Sequence, residues 1–499
     1  MTDGLRPGGS NSKKGTTRTF FGHPLGLLNL FSTEFCERFS YYGMRAILVY
    51  YIYAASTDGG LGLTEQDALY VMTLFGSSVY LLSIVGGWLA DRLIGSYRSV
   101  FYGGIVIAVG HVLLGLPFSG VPGTFAALSC IALGTGLLKP NVSQMVGTLY
   151  TERDRRRQAG FNIFVMGINL GSFFSPLIIG AVKDSAGYHV AFLIPAVFMV
   201  IALLIYRGLT PTTLRDVPKT APNPLKASEA KRFALKAAVF VAVAAAASAV
   251  LVSLGLFTLE SFSIIMPLFS LTIVVILFAQ MFLDKSLARK DRHHLLAYIA
   301  IFIASTVFWA VEELQSSVFA VLAKTRADND LLSFVFPAEW YQSINPLVII
   351  ILAPLLAVLW QKWKGQPSLF VKISIGLILT VVSFVIPAIG FADQGGGLVS
   401  PLLLAVPIIL FSAGELFVSP VGLSATTELA PLSYQSRLMS MWFLSNTLGQ
   451  GINAFCVRYF DTGAPSLFFG GYAVAVAVVV IGIALLTKRL NRLVNDESV

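Results

Sequence analysis

Eight ionisable side chains fall inside long apolar stretches of this 499-residue chain: Glu34, Glu37, Arg38, Arg45, Lys139, Glu312, Glu313 and Glu415. A charge at mid-bilayer costs about 2.5–3.5 kcal/mol on insertion scales, so eight unpaired ones would cost roughly 20–28 kcal/mol. They must line a wet cavity, pair with one another, or carry protons. Four of them share one segment, Glu34-Phe35-Cys36-Glu37-Arg38-Phe39-Ser40-Tyr41-Tyr42-Gly43-Met44-Arg45. At about 100° per residue, Glu34, Glu37, Arg38, Tyr41, Tyr42 and Arg45 fall within about 140° of arc. The opposite face is Phe, Cys, Met and Leu. A polar stripe three turns long on a spanning helix lines a cavity or an interhelical seam. The plainer alternative is an ion-pair cluster that only holds helices together.

The signs of charge are distributed by half. Arg45 and Lys139 lie in the first half, Glu313 and Glu415 in the second. A zwitterion bridging two halves of a cavity needs that polarity, a cation for its carboxylate and a carboxylate for its ammonium. The amides of Asn169 and Asn345 can donate and accept. Five carboxylates face three cations, which leaves capacity for protons.

The elements that carry these residues follow from composition. Apolar residues make up 56% and charged residues 12%, against about 25% charged in soluble proteins. Disorder is excluded by the hydrophobicity. A disulfide scaffold is excluded because Cys36, Cys130 and Cys456 all lie in apolar stretches. Apolar runs of about 20 residues indicate spanning helices, not the short alternating strands of a barrel. Fourteen are expected, at 27–53, 65–93, 98–117, 122–147, 157–182, 188–207, 233–257, 261–283, 295–323, 338–361, 368–391, 399–427, 437–458 and 466–487.

Loop charge orients them. With the N-terminus inside, the outer loops hold Lys183, Lys324 and Arg326, with Arg458 at a helix end. Arg38, Arg45 and Lys139 are intramembrane, so 28 of the 35 basic residues remain inside, Arg153, Arg155, Arg156 and Arg157 among them. Both termini are therefore expected on the cytoplasmic side. The net charge of +9 follows this topology, with no basic stripe interleaved with aromatics, so no nucleic-acid partner is expected. Residues 1–23 are polar and show no signal-peptide core. The proline-rich stretch 209–231 reads as a linker. The expected organisation is a tail (1–23), a six-helix bundle (24–208), the linker (209–231), an inserted hairpin (232–284), a second six-helix bundle (285–487) and a tail (488–499).

Gly86-Gly87-Trp88-Leu89-Ala90-Asp91-Arg92, after the second helix, resembles the glycine–aspartate–arginine loop of the major facilitator superfamily. The resemblance implies an all-α six-plus-six transporter that rocks around a central cavity, with Gly87, Asp91 and Arg92 acting in gating. Glu34-x-x-Glu37-Arg38-Phe39-x-Tyr41-Tyr42-Gly43 is similar to the signature of proton-coupled oligopeptide transporters. Further matches to that family are Phe161-Asn162 through Asn169-Leu170-Gly171, Lys139-Pro140-Asn141, Phe308-Trp309 through Glu312-Glu313, Asn345-Pro346 and Gly414-Glu415-Leu416. They run over both halves, including the helix pair inserted in bacterial members.

This resemblance implies proton-driven import of di- and tripeptides, with no cofactor beyond the proton. It implies that Arg45 and Lys139 bind the peptide carboxylate, that Asn345 and Glu415 bind the amino end, and that Asn169 and Glu313 also contact substrate. Tyr41, Tyr42, Tyr80, Trp309, Trp442 and Phe443 match aromatic pocket positions. Glu34, Glu37 and Arg38, with a salt bridge between Arg45 and Glu313, would couple protons to gating. A monomer in the inner membrane of a bacterium is the expected working unit. Two departures stand out. Glu313 is followed by Leu314-Gln315-Ser316 where the family has a glycine, leaving the local bend open, and Asn446 replaces a small serine. His111 reads as a packed histidine.

Rival functions fit less well. No Gly-x-Ser-Gly or His-Glu-x-x-His motif supports an intramembrane protease, and adjacent Glu312 and Glu313 point about 100° apart, so an enzyme is not expected. The remaining alternative is a major facilitator transporter for another small zwitterion or a drug.

Overall fold

The computed structural model describes residues 19–117, 120–151, 154–214, 219–256, 258–331, 333–362, 365–392 and 396–495. Arg153, most of the N-terminal tail and the last four residues lie outside them. The elements are α1 (Leu25–Tyr53), α2 (Glu65–Leu89), α3 (Ser96–Gly115), α4 (Gly120–Thr148), α5 (Arg157–Thr213), α6 (Ala227–Ser253) and α7 (Leu259–Leu283). Then follow α8 (Arg289–Glu312), α9 (Val318–Thr325), α10 (Ile344–Lys362), α11 (Leu369–Gly390), α12 (Leu402–Glu428), α13 (Gln435–Cys456) and α14 (Pro465–Asn495). Two short antiparallel hairpins, at 19–24 and 330–335, are the only sheets among the described residues.

The expected fourteen spans are recovered with two adjustments. α5 runs 57 residues but breaks at Gly187, whose φ of 83° divides it into two spans. α8 and α9 form one span interrupted by a 3-10 turn, Glu313–Ser316. Ten described helices are apolar and long enough to cross a membrane on composition alone. α1 is not among them because it carries the charged stripe. α5 and α6 also reach into the stretch read as a linker, ending at Thr213 and starting at Ala227.

Within each set of six, α1 packs on α5, α3 on α4 and α11 on both α12 and α14. α7 lies against α13 and α2. Hydrocarbon supplies no hydrophobic drive between helices, so close backbone approach at small residues holds them. A Cβ on Gly103 of α3 would sit 2.7 Å from the Gly134 carbonyl of α4. The corresponding pair in the second set, Gly376 of α11 and Gly414 of α12, shows the same 2.7 Å in both directions.

Candidate functional site

The α1 stripe is buried. Glu34, Glu37 and Arg38 are at most 2% exposed. The Arg38 guanidinium bonds the Glu37 carboxylate and lies 3.3 Å from Glu34 Oε1. Its carbon sits 5.2 Å from the centre of the Tyr41 ring. α1 can approach α5 this closely because Gly171 has no side chain; a Cβ there would stand 2.6 Å from the Phe35 carbonyl. Glu34 Oε2, Glu37 Oε1 and Arg38 Nη2 make no protein hydrogen bond among the described residues. A buried polar atom needs a partner; water can serve at all three, and a proton at the two carboxylate oxygens.

Two turns further along α1, Arg45 Nη2 reaches across to the second half. It donates to Glu313 Oε2 at 2.5 Å and to Ser316 Oγ at 2.6 Å. Tyr80 OH of α2 lies 3.4 Å from the other Glu313 oxygen. Glu313 is aimed there by the 3-10 turn that ends α8, so the bend forms without the family's glycine. Ser317, with φ −121° and ψ −87°, restarts the chain as α9.

A cavity of about 840 Å³ opens between α2 and α4 on one side and α12 and α13 on the other. Tyr80, Gly87, Asp91, Lys139, Gln144 and Phe443 are among its walls. Its mouth lies at the end of the bundle that carries both chain termini. Lys139 Nζ rests 4.3 Å above the Tyr80 ring. Its position follows from Pro140, which has no N–H and opens α4 one turn earlier, at Gly136. There α2 packs in: a Cβ on Gly86 would lie 2.0 Å from the Gly136 carbonyl. Asn345, one residue before Pro346 in the first turn of α10, donates to Glu415 Oε2 at 3.1 Å and to Ser412 Oγ at 3.0 Å.

The opposite end is closed by bonds between the two halves. Besides Arg45–Glu313, Lys183 Nζ of α5 meets Glu339 Oε1 of the second half at 2.7 Å, and is also held by its own neighbour Asp184 at 2.8 Å. Tyr50 OH donates to the Ala320 carbonyl, Gln342 to the Ala46 carbonyl and Ser343 to the Phe173 carbonyl.

Of the expected substrate residues, Tyr80, Lys139 and Phe443 line the cavity, and Tyr41, Arg45, Glu313, Asn345 and Glu415 are not among its walls. Asn169 turns its amide back to the Val165 carbonyl of its own helix. Trp442 is buried, its ring filling the space beside Gly422. Trp309 packs edge-on against Phe308. Tyr42 is half-buried, its ring edge-on to Tyr41, which stacks near Phe75. Arg92 uses its backbone carbonyl to hold Leu225 and is absent from the cavity wall, while Gly87 and Asp91 line it. His111 is fully buried as expected.

Four features escaped the sequence. Lys183 and Arg326 had the appearance of outer-loop charges, yet both are buried. Glu339, Lys183's partner, stood at the edge of an expected span and went uncounted. Gly86, next to the expected Gly87, makes the tight crossing. Glu312 was seen only as an intramembrane charge; its charged neighbours are Glu313, Glu415, Arg45 and Lys139. Only Glu312 left a signal, its position inside an apolar span.

A family profile described as POT family matches residues 97–484. A di-/tripeptide transporter of Lactococcus lactis is 41% identical, over 96% of this chain and 98% of the relative. The crystal structure of a peptide transporter POT in complex with sulfate superposes with a TM-score of 0.92 at 43% identity, covering 96% of this chain and 97% of the other. A POT family transporter solved with a thioalcohol conjugated peptide gives a TM-score of 0.91 at 33% identity, covering 95% and 98%.

Proposed function

The chain belongs to the POT family, whose fold is that of the major facilitator superfamily, and from that premise we propose that it is a proton-coupled symporter importing di- and tripeptides. The observation that carries the proposal is the opposition of charge between the two halves. Lys139 lines the cavity from α4 and Arg45 of α1 pairs with Glu313 of the second half, while Glu415 of α12 is held by Asn345 behind the cavity wall. A bound peptide places its carboxylate between Arg45 and Lys139, and its ammonium against Glu415 and Asn345. Tyr80 and Phe443, on the cavity wall, contact its side chains. Two relatives support the substrate class: one is a di-/tripeptide transporter and another was solved with a peptide derivative.

The proton works at the closed end. Protonating Glu313 removes the charge that holds Arg45. Arg45 then turns to the peptide carboxylate, and the two six-helix bundles, 24–208 and 285–487, part on the outer side. The Glu34–Glu37–Arg38 cluster links a second protonation to the same helix. With both termini in the cytoplasm of a bacterium, the cavity described above faces inward and the latches face out. One charge crossing 100 mV is worth about 2.3 kcal/mol, which sustains roughly a 40-fold peptide gradient, since about 1.4 kcal/mol is tenfold. The protein works as a monomer in this scheme, with α6 and α7 packed on its flank.

The test is uptake of a labelled dipeptide into proteoliposomes under imposed pH and voltage gradients. Accumulation that needs the inward proton gradient supports the reading. Accumulation of a sugar or drug, with no di- or tripeptide uptake, overturns it.

A further inference from the structure

Away from the transport path, α3 and the last turns of α5 line a second, open-sided cavity of about 320 Å³. Three cations line it, Arg98 from α3, Arg207 from α5 and Lys219 from the segment after α5, together with Tyr97, Phe101 and Tyr102. None of the three cations pairs with a carboxylate among the described residues. The floor is rigid: Tyr206 OH donates to the Tyr97 carbonyl at 3.1 Å, and the two rings stack with centres 5.5 Å apart.

The surroundings identify the ligand class. One turn deeper into the bundle an exposed apolar strip begins. On α3 it runs through Tyr102, Ile105 and Val109, and on α5 through Leu204, Ile201 and Val197. The cations therefore sit at the polar boundary and the strip extends from them toward mid-membrane. Among the described residues no carboxylate lines the cavity to take the ammonium of a peptide zwitterion. A free anion would leave the strip unused.

We propose that this cavity binds the phosphate headgroup of an anionic phospholipid, with its acyl chains laid along the α3–α5 strip. The occupant also bears on the gate. Lys219 belongs to the segment whose Asn223 and Leu225 N–H groups bond the Asp91 and Arg92 carbonyls. A headgroup held by Lys219 ties that segment to the helix pair behind the cavity mouth.

The experiment is native mass spectrometry of the full chain in detergent. Phosphatidylglycerol and phosphatidylcholine with the same acyl chains are titrated, each alone and with inorganic phosphate added. A variant with Arg98→Gln and Arg207→Gln is compared with a control that loses the same charge on α14, Lys488→Gln with Arg489→Gln. These side chains lie at the surface, and circular dichroism checks that the variants fold. Each cation near the membrane surface is worth about fivefold in binding, equivalent to about 1 kcal/mol. The expected result is preference for phosphatidylglycerol and a loss of roughly 25-fold in the first variant, with the control within about twofold of wild type. Three results would each overturn the proposal. They are equal binding of the two lipids, equal loss in the control, and displacement of the lipid by inorganic phosphate at equal concentration.

Discussion

Breaking the Arg45–Glu313 pair should open the outer end of the protein, and the size of the effect follows from the burial of the pair. The side chains are 7% and 4% exposed and 2.5 Å apart. Removing one partner of such a pair costs about 3–5 kcal/mol, because the other is left charged and buried. That cost applies only while the outer end is shut, since water reaches the survivor once it opens. The open–closed equilibrium should therefore shift by roughly two to three and a half orders of magnitude, at about 1.4 kcal/mol per tenfold. In Glu313→Gln the Ser316 hydroxyl and the Tyr41 ring, 5.9 Å from the guanidinium carbon, still engage Arg45, so the lower end applies. The Lys183–Glu339 pair at 2.7 Å remains as a second latch. The assay is labelling from outside of a cysteine at Gln342, a half-buried residue that bonds Ala46, in a background without native cysteines. Arg45→Glu and Glu313→Arg should each raise the labelling rate. Combined, they should lower it again but leave driven uptake dead, because an arginine cannot release its proton. If the combined variant labels as fast as the singles, the pair does not form the gate and the reasoning fails.

Lys139→Ala should abolish uptake or cut it severely while the protein still inserts; wild-type uptake by a folded variant would contradict its role at the peptide carboxylate. Glu37→Gln keeps size and hydrogen bonding but cannot titrate, so it should lose gradient-driven uptake and keep peptide exchange; an unchanged pH dependence would place the proton elsewhere. Gly86→Ala should destabilise by about 1–3 kcal/mol, typical of overpacking, because its Cβ meets backbone at 2.0 Å, whereas Gly87→Ala meets only Pro140 Cβ at 3.9 Å. Similar melting temperatures for the two would refute that. Asp284, just beyond α7, accepts from Ser286 Oγ, Tyr434 OH and the Ser286 N–H, and these bonds hold its carboxyl down to about 2. A carboxyl depressed on folding stabilises above its unfolded pKa of about 3.9 and loses that contribution as pH falls toward 2. Tyr434→Phe should therefore melt lower near neutral pH, with the gap to wild type closing on acidification from about pH 4; a gap that does not narrow would show that another group is responsible.

Spanning helices were legible because about 20 apolar residues are what a bilayer demands of any helix, whatever it packs against. The α1 stripe was legible for a related reason: charge in an apolar helix is too costly to be accidental, so Glu34, Glu37, Arg38 and Arg45 announced a polar seam before any neighbour was known. Partnership was not legible from periodicity, which carries no information across the 268 positions between Arg45 and Glu313; the family resemblance alone joined that pair. Lys183 and Glu339 sit where spans end, and there a buried latch and a solvated loop charge have the same sequence signature. Asn169 shows the converse: an amide facing a seam can satisfy itself on its own helix, and only packing chooses between the two. The depth of Gly86 against Gly136 was decided by how two helices cross. So was the side on which the cavity opens, because two closed ends of one bundle compete and the winner is set by the sum of contacts between halves.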